Sequence, residues 1–424
     1  MSSFTSNGQN TRTAPSLPPG MDAAFSAARP QAALLLRLVW EERRISRADL
    51  ARRTGLSRST VSDAVRDLLR SGLVVETGTG EAKGGRKPIM LEFQDDACGI
   101  LGVDIGATHV AVALSNMRGE VRQWLVEPFP VREDAAGARA LALRLCRTCQ
   151  QSWGAAGRQL LGVGVGLPSP VDPKHPFEVS EVVMPAWGGR NGLEELRDAL
   201  ELPLLVDNDA NLGALAEHWW GAGRGIDDFA YIKVATGIGL GHILGGEIYR
   251  GATGVAGEIG HLAIDPHGRP CVCGLKGCLV MYAGSAALVE QAQARMERFP
   301  GSSLAAGSLD MVAIADAAQQ GDELALQVVR EAAEYLGITV AGLLNLNNPR
   351  LVVLGGGITR VGKGLMEPLQ ATVRRRTIMS SISAAEIVAS PLGSRAVAMG
   401  ASTLMLQAAF HNPALFRQWP REES

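Results

Sequence analysis

Cysteine and histidine are scarce in this chain, 6 and 7 among 424 residues, and aromatic residues make up only 5% of it. So few cysteines, so unevenly scattered, do not make the framework of a disulfide-stapled secreted domain. The first twenty residues are rich in Ser, Thr, Asn, Gly and Pro and carry no apolar segment of the signal-peptide kind. The expectation is a cytoplasmic protein with a disordered N-terminal arm over residues 1–28. No apolar run is long enough to span a bilayer, which predicts no membrane partner. An excess of one charge is missing as well. With 41 basic and 43 acidic side chains the net charge is −2, so any affinity for nucleic acid must come from a local patch.

What is present falls into zones. After the polar arm, residues 29–96 are charged and helix-patterned. From Ala97 onward, short Val/Ile/Leu/Gly runs alternate with Ala/Leu/Glu-rich segments, the pattern of an α/β chain. The runs "GVDIGATHVAVAL" and "IKVATGIGLGHIL" echo one another as strand, Gly/Thr turn, strand. Two related lobes would leave such an echo.

The zone 29–96 reads as a winged helix-turn-helix. Leu34, Leu35, Leu38 and Val39 place one apolar face on a first helix. Ser46 is a good N-cap for a second helix, Gly55 fits its left-handed end, and Ser57 caps a third helix whose Val61, Val65, Leu68 and Leu69 turn inward. Small Ala51, then Gly55, then Val61 is the spacing of two helices packed across a tight turn. The outer face offers Arg58, Ser59, Thr60 and Ser62 to a major groove, with Arg47, Ser57 and Arg66 beside them. The segments "LVVE" and "IMLEF" form a wing, with Lys83, Arg86 and Lys87 at its tip. Between Arg43 and Arg70 stand eight Arg and three Asp, a local charge of +5. That excess predicts phosphate contact, and hence operator DNA as a partner. The plainer alternative is a structural three-helix subdomain whose arginines are merely solvated.

In the α/β zone, Asp104 ends a strand, and Gly106 and Thr108 shape the turn after it. Such a turn can meet phosphate with backbone N–H groups and a hydroxyl. Thr236 and Gly237 stand in a matching turn of the second lobe. Asn208 and Asp209 follow the strand "LLVD", at the strand end where α/β folds bind ligands. Asp209 is a candidate general base toward a sugar hydroxyl; capping the next helix would explain the same residue.

The motifs "DIGAT", "VDNDAN", "GATGVAGEIGH" and "CVCGLKGC" together resemble the ROK family of repressors, open reading frames and kinases, from about Gly99 to Ala401. The resemblance implies a two-lobed actin-like (ribonuclease H-like) sugar-kinase fold, α/β in class, behind the DNA-binding head. The first lobe is expected over 97–212, rejoined by a C-terminal helix near 397–410. The second, with the metal site and a dimer surface, is expected over 213–396. The resemblance also implies a sugar bound through Asn208, Asp209, Glu258 and His261. His261, Cys271, Cys273 and Cys278 complete a tetrahedral N/S set that predicts structural Zn²⁺.

Four positions depart from the kinases of the family. Val280 stands where they carry a sugar-binding Glu, and Ala107, Ala235 and Leu240 stand where their phosphate turns have Gly. The expectation is therefore a sugar-responsive DNA-binding repressor, not an enzyme, acting as a homodimer or homotetramer. The alternative is a sugar kinase with a DNA-binding appendage, using Asp209 as base.

Overall fold

A computed structural model describes residues 30–80, 87–377 and 385–416. The expected N-terminal arm lies outside the described residues, as do Lys83 and Arg86 of the wing tip.

The head begins with α1 (Pro30–Glu42). Arg43, at φ 60°, turns the chain into a short strand, β1 (Arg44–Ser46). Ser46 then caps α2 (Arg47–Thr54), its Oγ accepting from the Asp49 N–H at 3.1 Å. Gly55, at φ 70°, closes that helix with its N–H on the Ala51 carbonyl. Ser57 caps α3 (Arg58–Arg70), accepting from the Thr60 N–H. The wing strands β2 (Val74–Thr79) and β3 (Ile89–Phe93) pair antiparallel, and β1 adds to the free edge of β3. The sequence reading missed β1, so the wing sheet has three strands instead of two. The buried face of α1 also differs from expectation. Ala32, Leu35, Leu36 and Val39 are buried, whereas Leu34 is 46% exposed. In a run of three leucines the helix has rotated to bury Leu35 and Leu36.

Two five-stranded sheets follow. The first holds β4 (Cys98–Ile105), β5 (His109–Asn116), β6 (Val121–Pro128), β7 (Gln159–Leu167) and β8 (Leu204–Asn208), in the order β6-β5-β4-β7-β8. Its helices are α4 (Ala135–Gly154) and α5 (Leu193–Leu200). After α6 (Asp209–Trp220) come β9 (Phe229–Val234), β10 (Ile238–Leu244) and β11 (Glu247–Ile248). Helices α7 (Val280–Ala283), α8 (Ser285–Arg295), α9 (Met311–Gln319) and α10 (Glu323–Asn347) precede β12 (Leu351–Gly355). Helix α11 (Lys363–Arg376), β13 (Glu386–Ala389) and α12 (Ala396–His411) complete the chain.

The second sheet runs β11-β10-β9-β12-β13. Strand for strand this is the order of the first: a three-stranded antiparallel meander followed by two parallel strands. The echo read in the sequence is a repeated fold.

Side chains alternate along each strand, so each sheet has two packed faces. Leu101, Val103 and Ile105 of β4 meet α4 and α5. The opposite face receives α12 with almost no side chain between. A Cβ on Gly102 would lie 1.9 Å from the Ala398 carbonyl oxygen, one on Gly164 1.9 Å from that of Ala401, and one on Gly400 of α12 1.8 Å from that of Leu212 in α6. Glycine is required at these positions because backbone meets backbone there.

The head shares a core with the first lobe. Leu35, Leu36 and Val39 belong to the same buried cluster as Ile100, Met405, Leu406 and Phe410. At its centre the Trp40 ring lies 5.6 Å from Trp219, 6.2 Å from Trp220 and 5.2 Å from Phe410. Trp40 Nε1 donates to the Met117 carbonyl at 2.9 Å, and the Arg118 guanidinium covers the Trp40 ring at 4.6 Å. Trp219 and Trp220, at the end of α6, therefore serve packing between head and lobe.

Candidate functional site

Between the lobes lies a cleft of about 700 Å³, within the range of small-ligand sites. The repeated topology builds it by bringing the end of β4, the start of α6 and the β9–β10 turn together. Asp104, Thr108, Asn208, Asp209, Thr236, Gly237, Glu258 and His261 all line it. Ala107, Ala235 and Val280 line it too. Two expected residues do not. Gly106 instead leaves room for the His109 ring, which a Cβ there would meet at 2.4 Å. Leu240 is buried in the core of the second lobe. Its bulk takes nothing from a phosphate, so it is no argument against nucleotide binding.

Of the two readings of "VDNDAN", the cap falls to Asn208. Asn208 caps α6, its Oδ1 accepting from Ala210 N at 2.9 Å and Asn211 N at 3.3 Å, while its Nδ2 donates to the Ser169 carbonyl. One amide hydrogen of Asn208 is left for a ligand. Asp209 is released from capping. Its Oδ2 accepts from Lys233 Nζ at 2.5 Å. Lys233, near the end of β9, escaped the sequence reading. His109, a single His beside a strand and so expected to be satisfied structurally, places its Nε2 3.3 Å from Asp104 Oδ2.

This end of the cleft is a buried charge cluster. Burial raises the Asp209 carboxyl, and the Lys233 ammonium limits the rise. Burial works against the ammonium, but the Asp209 and Asp104 carboxylates hold it protonated. Burial also opposes ionisation of Asp104, yet the His109 bond and the charge of Lys233 keep it below the usual carboxylate range. Glu258 has no such cation among the described residues. Burial and the neighbouring Asp209 charge push it up to about 7.

His261, Cys271, Cys273 and Cys278 gather at one wall. Their ligand atoms all lie within 4.8 Å of one another. Cys271 Sγ is 3.6 Å from His261 Nδ1, and Cys273 Sγ is 3.6 Å from Cys278 Sγ. A tetrahedral ion with metal–sulfur bonds of about 2.3 Å spaces its ligands by roughly 3.8 Å, so the set fits a metal ion. Gly277, at φ 69°, makes the fold-back: a Cβ there would lie 1.5 Å from the Asp265 carbonyl oxygen. His267 is exposed and outside the cluster. Cys146 and Cys149 are buried free thiols, pushed up by burial, Cys149 to about 11.

On the head, Ser57, Arg58, Ser59, Ser62, Arg66 and Lys87 are exposed, and Thr60 is half-buried. Several carry partners already. Arg47 pairs with Glu76 of the wing at 2.7 Å and Arg66 with Asp63 at 2.9 Å. Ser57 Oγ is shared between the Thr60 N–H and the Ser59 and Thr60 hydroxyls. Arg58 has no ion pair among the described residues, which makes it the most available cation at the start of α3. Arg86 lies outside the described residues.

A two-lobed sugar-kinase fold joined to a winged head defines a class of protein, and sequence comparison gives its family. The chain belongs to the ROK family, whose profile matches residues 100–408. A winged helix-turn-helix DNA-binding profile matches residues 34–75. The xylose repressor of Caldicellulosiruptor bescii is 30% identical over 377 residues, 88% of this chain and 94% of that protein. The crystal structure of a ROK family transcriptional regulator, a homologue of the E. coli MLC protein, matches with a TM-score of 0.74 at 26% identity. It covers 91% of this chain and 98% of its own. A ROK family glucokinase from Streptomyces griseus, solved with glucose and AMPPNP, matches with a TM-score of 0.64 at 30% identity, over 72% of this chain and 98% of its own. The family thus joins this chain to regulators and to kinases. Among the described residues no helix is long and apolar enough to cross a membrane.

Proposed function

We propose that the chain is a sugar-responsive transcriptional repressor of carbohydrate genes. The observation that carries the reading is a DNA-binding head built into the same core as a sugar-type cleft. Helix α6 starts in the cleft at Asp209 and ends at Trp219 and Trp220, which pack on Trp40 of the head. Arg58, Ser59 and Ser62 face the major groove of an operator, with Arg47, Ser57, Thr60, Arg66 and Lys87 around them; Arg86 is a further DNA contact expected from the sequence alone. Asn208, Asp209, Glu258 and His261 hold the sugar. The metal is Zn²⁺, since three thiolates and an imidazole suit it and not Mg²⁺ or Ca²⁺. It anchors His261 through Nδ1 and leaves the other ring nitrogen for the sugar. One head reads one half-site, so the working unit is a homodimer or homotetramer.

Release is a population shift. A sugar that weakens operator binding 100-fold must favour the released state by about 100-fold, roughly 2.7 kcal/mol. The kinase reading draws on Asp104 and Asp209, which both reach the cleft.

The test is fluorescence anisotropy with DNA from upstream of the protein's own gene, run with a panel of pentoses, hexoses and N-acetylhexosamines. The expected result is specific binding that one sugar weakens. If no sugar changes either operator affinity or melting temperature, the sugar-responsive reading falls. Sugar-dependent ADP production that Asp209→Asn abolishes would establish the kinase instead.

A further inference from the structure

We propose that Lys233 is a specificity-determining residue of the cleft: with Asp209 it forms a donor–acceptor couple that takes a free sugar hydroxyl and excludes that sugar's phosphate ester. The inference rests on the sugar-binding reading above and deepens it.

A lysine on a strand usually keeps its ammonium in water. Lys233 does the opposite. Its side chain is 14% exposed, lines the cleft, and reaches Asp209 at 2.5 Å. Asp209 is 9% exposed. Asp104 stands close enough for its charge to act on the same ammonium. Asp104 Oδ1 is buried with no hydrogen-bond partner among the described residues. The cluster is thus two carboxylates from the first-lobe side of the cleft sharing one ammonium from the second.

An ammonium has three hydrogens and Asp209 takes one. A hydroxyl set beside the pair can accept from Lys233 and donate to Asp209, satisfying both. A phosphate monoester brings only acceptors and a charge near −2. It would face two carboxylates with one ammonium already engaged. The contact occupies one oxygen of Asp209 and leaves Oδ1 for the sugar hydroxyl. Lys233 thereby makes this end of the cleft a reader of hydroxyls.

The experiment is calorimetric titration of the full-length, metal-replete protein. The probes are D-xylose and D-glucose, their monodeoxy analogues, xylose 5-phosphate and glucose 6-phosphate. We expect a free sugar to bind, and its phosphate ester to bind at least 100-fold more weakly. Deleting one particular hydroxyl should weaken wild-type binding roughly 10- to 100-fold, the range for a lost hydrogen bond to a charged, buried group. In Lys233→Met that same deletion should cost less than threefold, and Lys233→Arg should restore part of the discrimination. A protein that prefers the phosphate ester, for which Arg132 of the same cleft would be the natural partner, overturns the inference while leaving the sugar-responsive reading intact. So does a Lys233→Met variant that keeps the full penalty at every deoxy position. If Lys233→Met does not fold, the comparison of free sugar with ester in the wild type decides alone. Binding of neither overturns this inference and the sugar-responsive reading together.

Discussion

Replacing Trp40 by Phe should loosen the head from the cleft without unfolding either. Phe keeps a ring against Trp219 and Phe410 but has no N–H, so the Met117 carbonyl loses its 2.9 Å bond. An unmade bond at a part-buried carbonyl costs about 1–2 kcal/mol. The smaller ring buries roughly 40 Å² less apolar surface, about 1 kcal/mol, and the contact with Arg118 weakens by about 0.5 kcal/mol. The total is near 3 kcal/mol, and Trp40→Ala should cost as much as 5. Two assays follow it. Urea unfolding by circular dichroism should show head and first lobe melting together in the wild type and separating in Trp40→Ala. Operator anisotropy should show Trp40→Phe still binding DNA but responding less to sugar. A Trp40→Phe protein within 0.5 kcal/mol of wild type, with its sugar response unchanged, would refute the claim that this joint carries the signal.

Other expectations follow from single sites. Arg58→Ala should weaken operator binding by about 1–3 kcal/mol if it reads a base, or lower the salt slope by about one if it holds a phosphate; anisotropy at several salt concentrations separates the two. Cys278→Ser should lower the metal content measured by plasma emission from one equivalent per chain and weaken sugar binding through loss of the His261 anchor. Gly164→Ala should cost at least about 3 kcal/mol, read as lost soluble yield or a lowered melting temperature, because its Cβ meets the Ala401 carbonyl at 1.9 Å. Burial lowers the His242 pKa, and its Nε2 lacks a partner among the described residues. The unfolded chain therefore binds the extra proton, and stability should fall as pH drops through about 6.5. Unfolding measured from pH 7.5 to 5.5 should show a shallower fall in His242→Asn.

Local signals were the most legible. Ser46, Gly55 and Ser57 each meet a backbone partner within four residues, so spacing alone announced them. The His/Cys cluster was legible for the same reason, with three of its four residues inside an eight-residue stretch. Lys233 was not, because its partner lies 24 residues away on another element and nothing near a lysine in a strand marks it as buried. The pairing of Arg47 with Glu76 was not legible because the two meet only once the wing folds over α2. Strand β1 was missed because three residues are too few for any period to show. Leu240 was misplaced since a position in a turn motif does not say which way a side chain points, and the alternation of β10 sends it into the lobe.

The bare contact of α12 with β4, β7 and α6 has one more consequence. With no side chains to compress, that junction has no slack, and a ligand cannot bend it. Whatever travels from cleft to operator must travel as whole-body tilt, the second lobe hinging against a stiff block that includes the head. Natural variation should follow the same division, drifting freely around the rim of the cleft, where new sugars are met, and freezing at three hydrogens where no methyl fits.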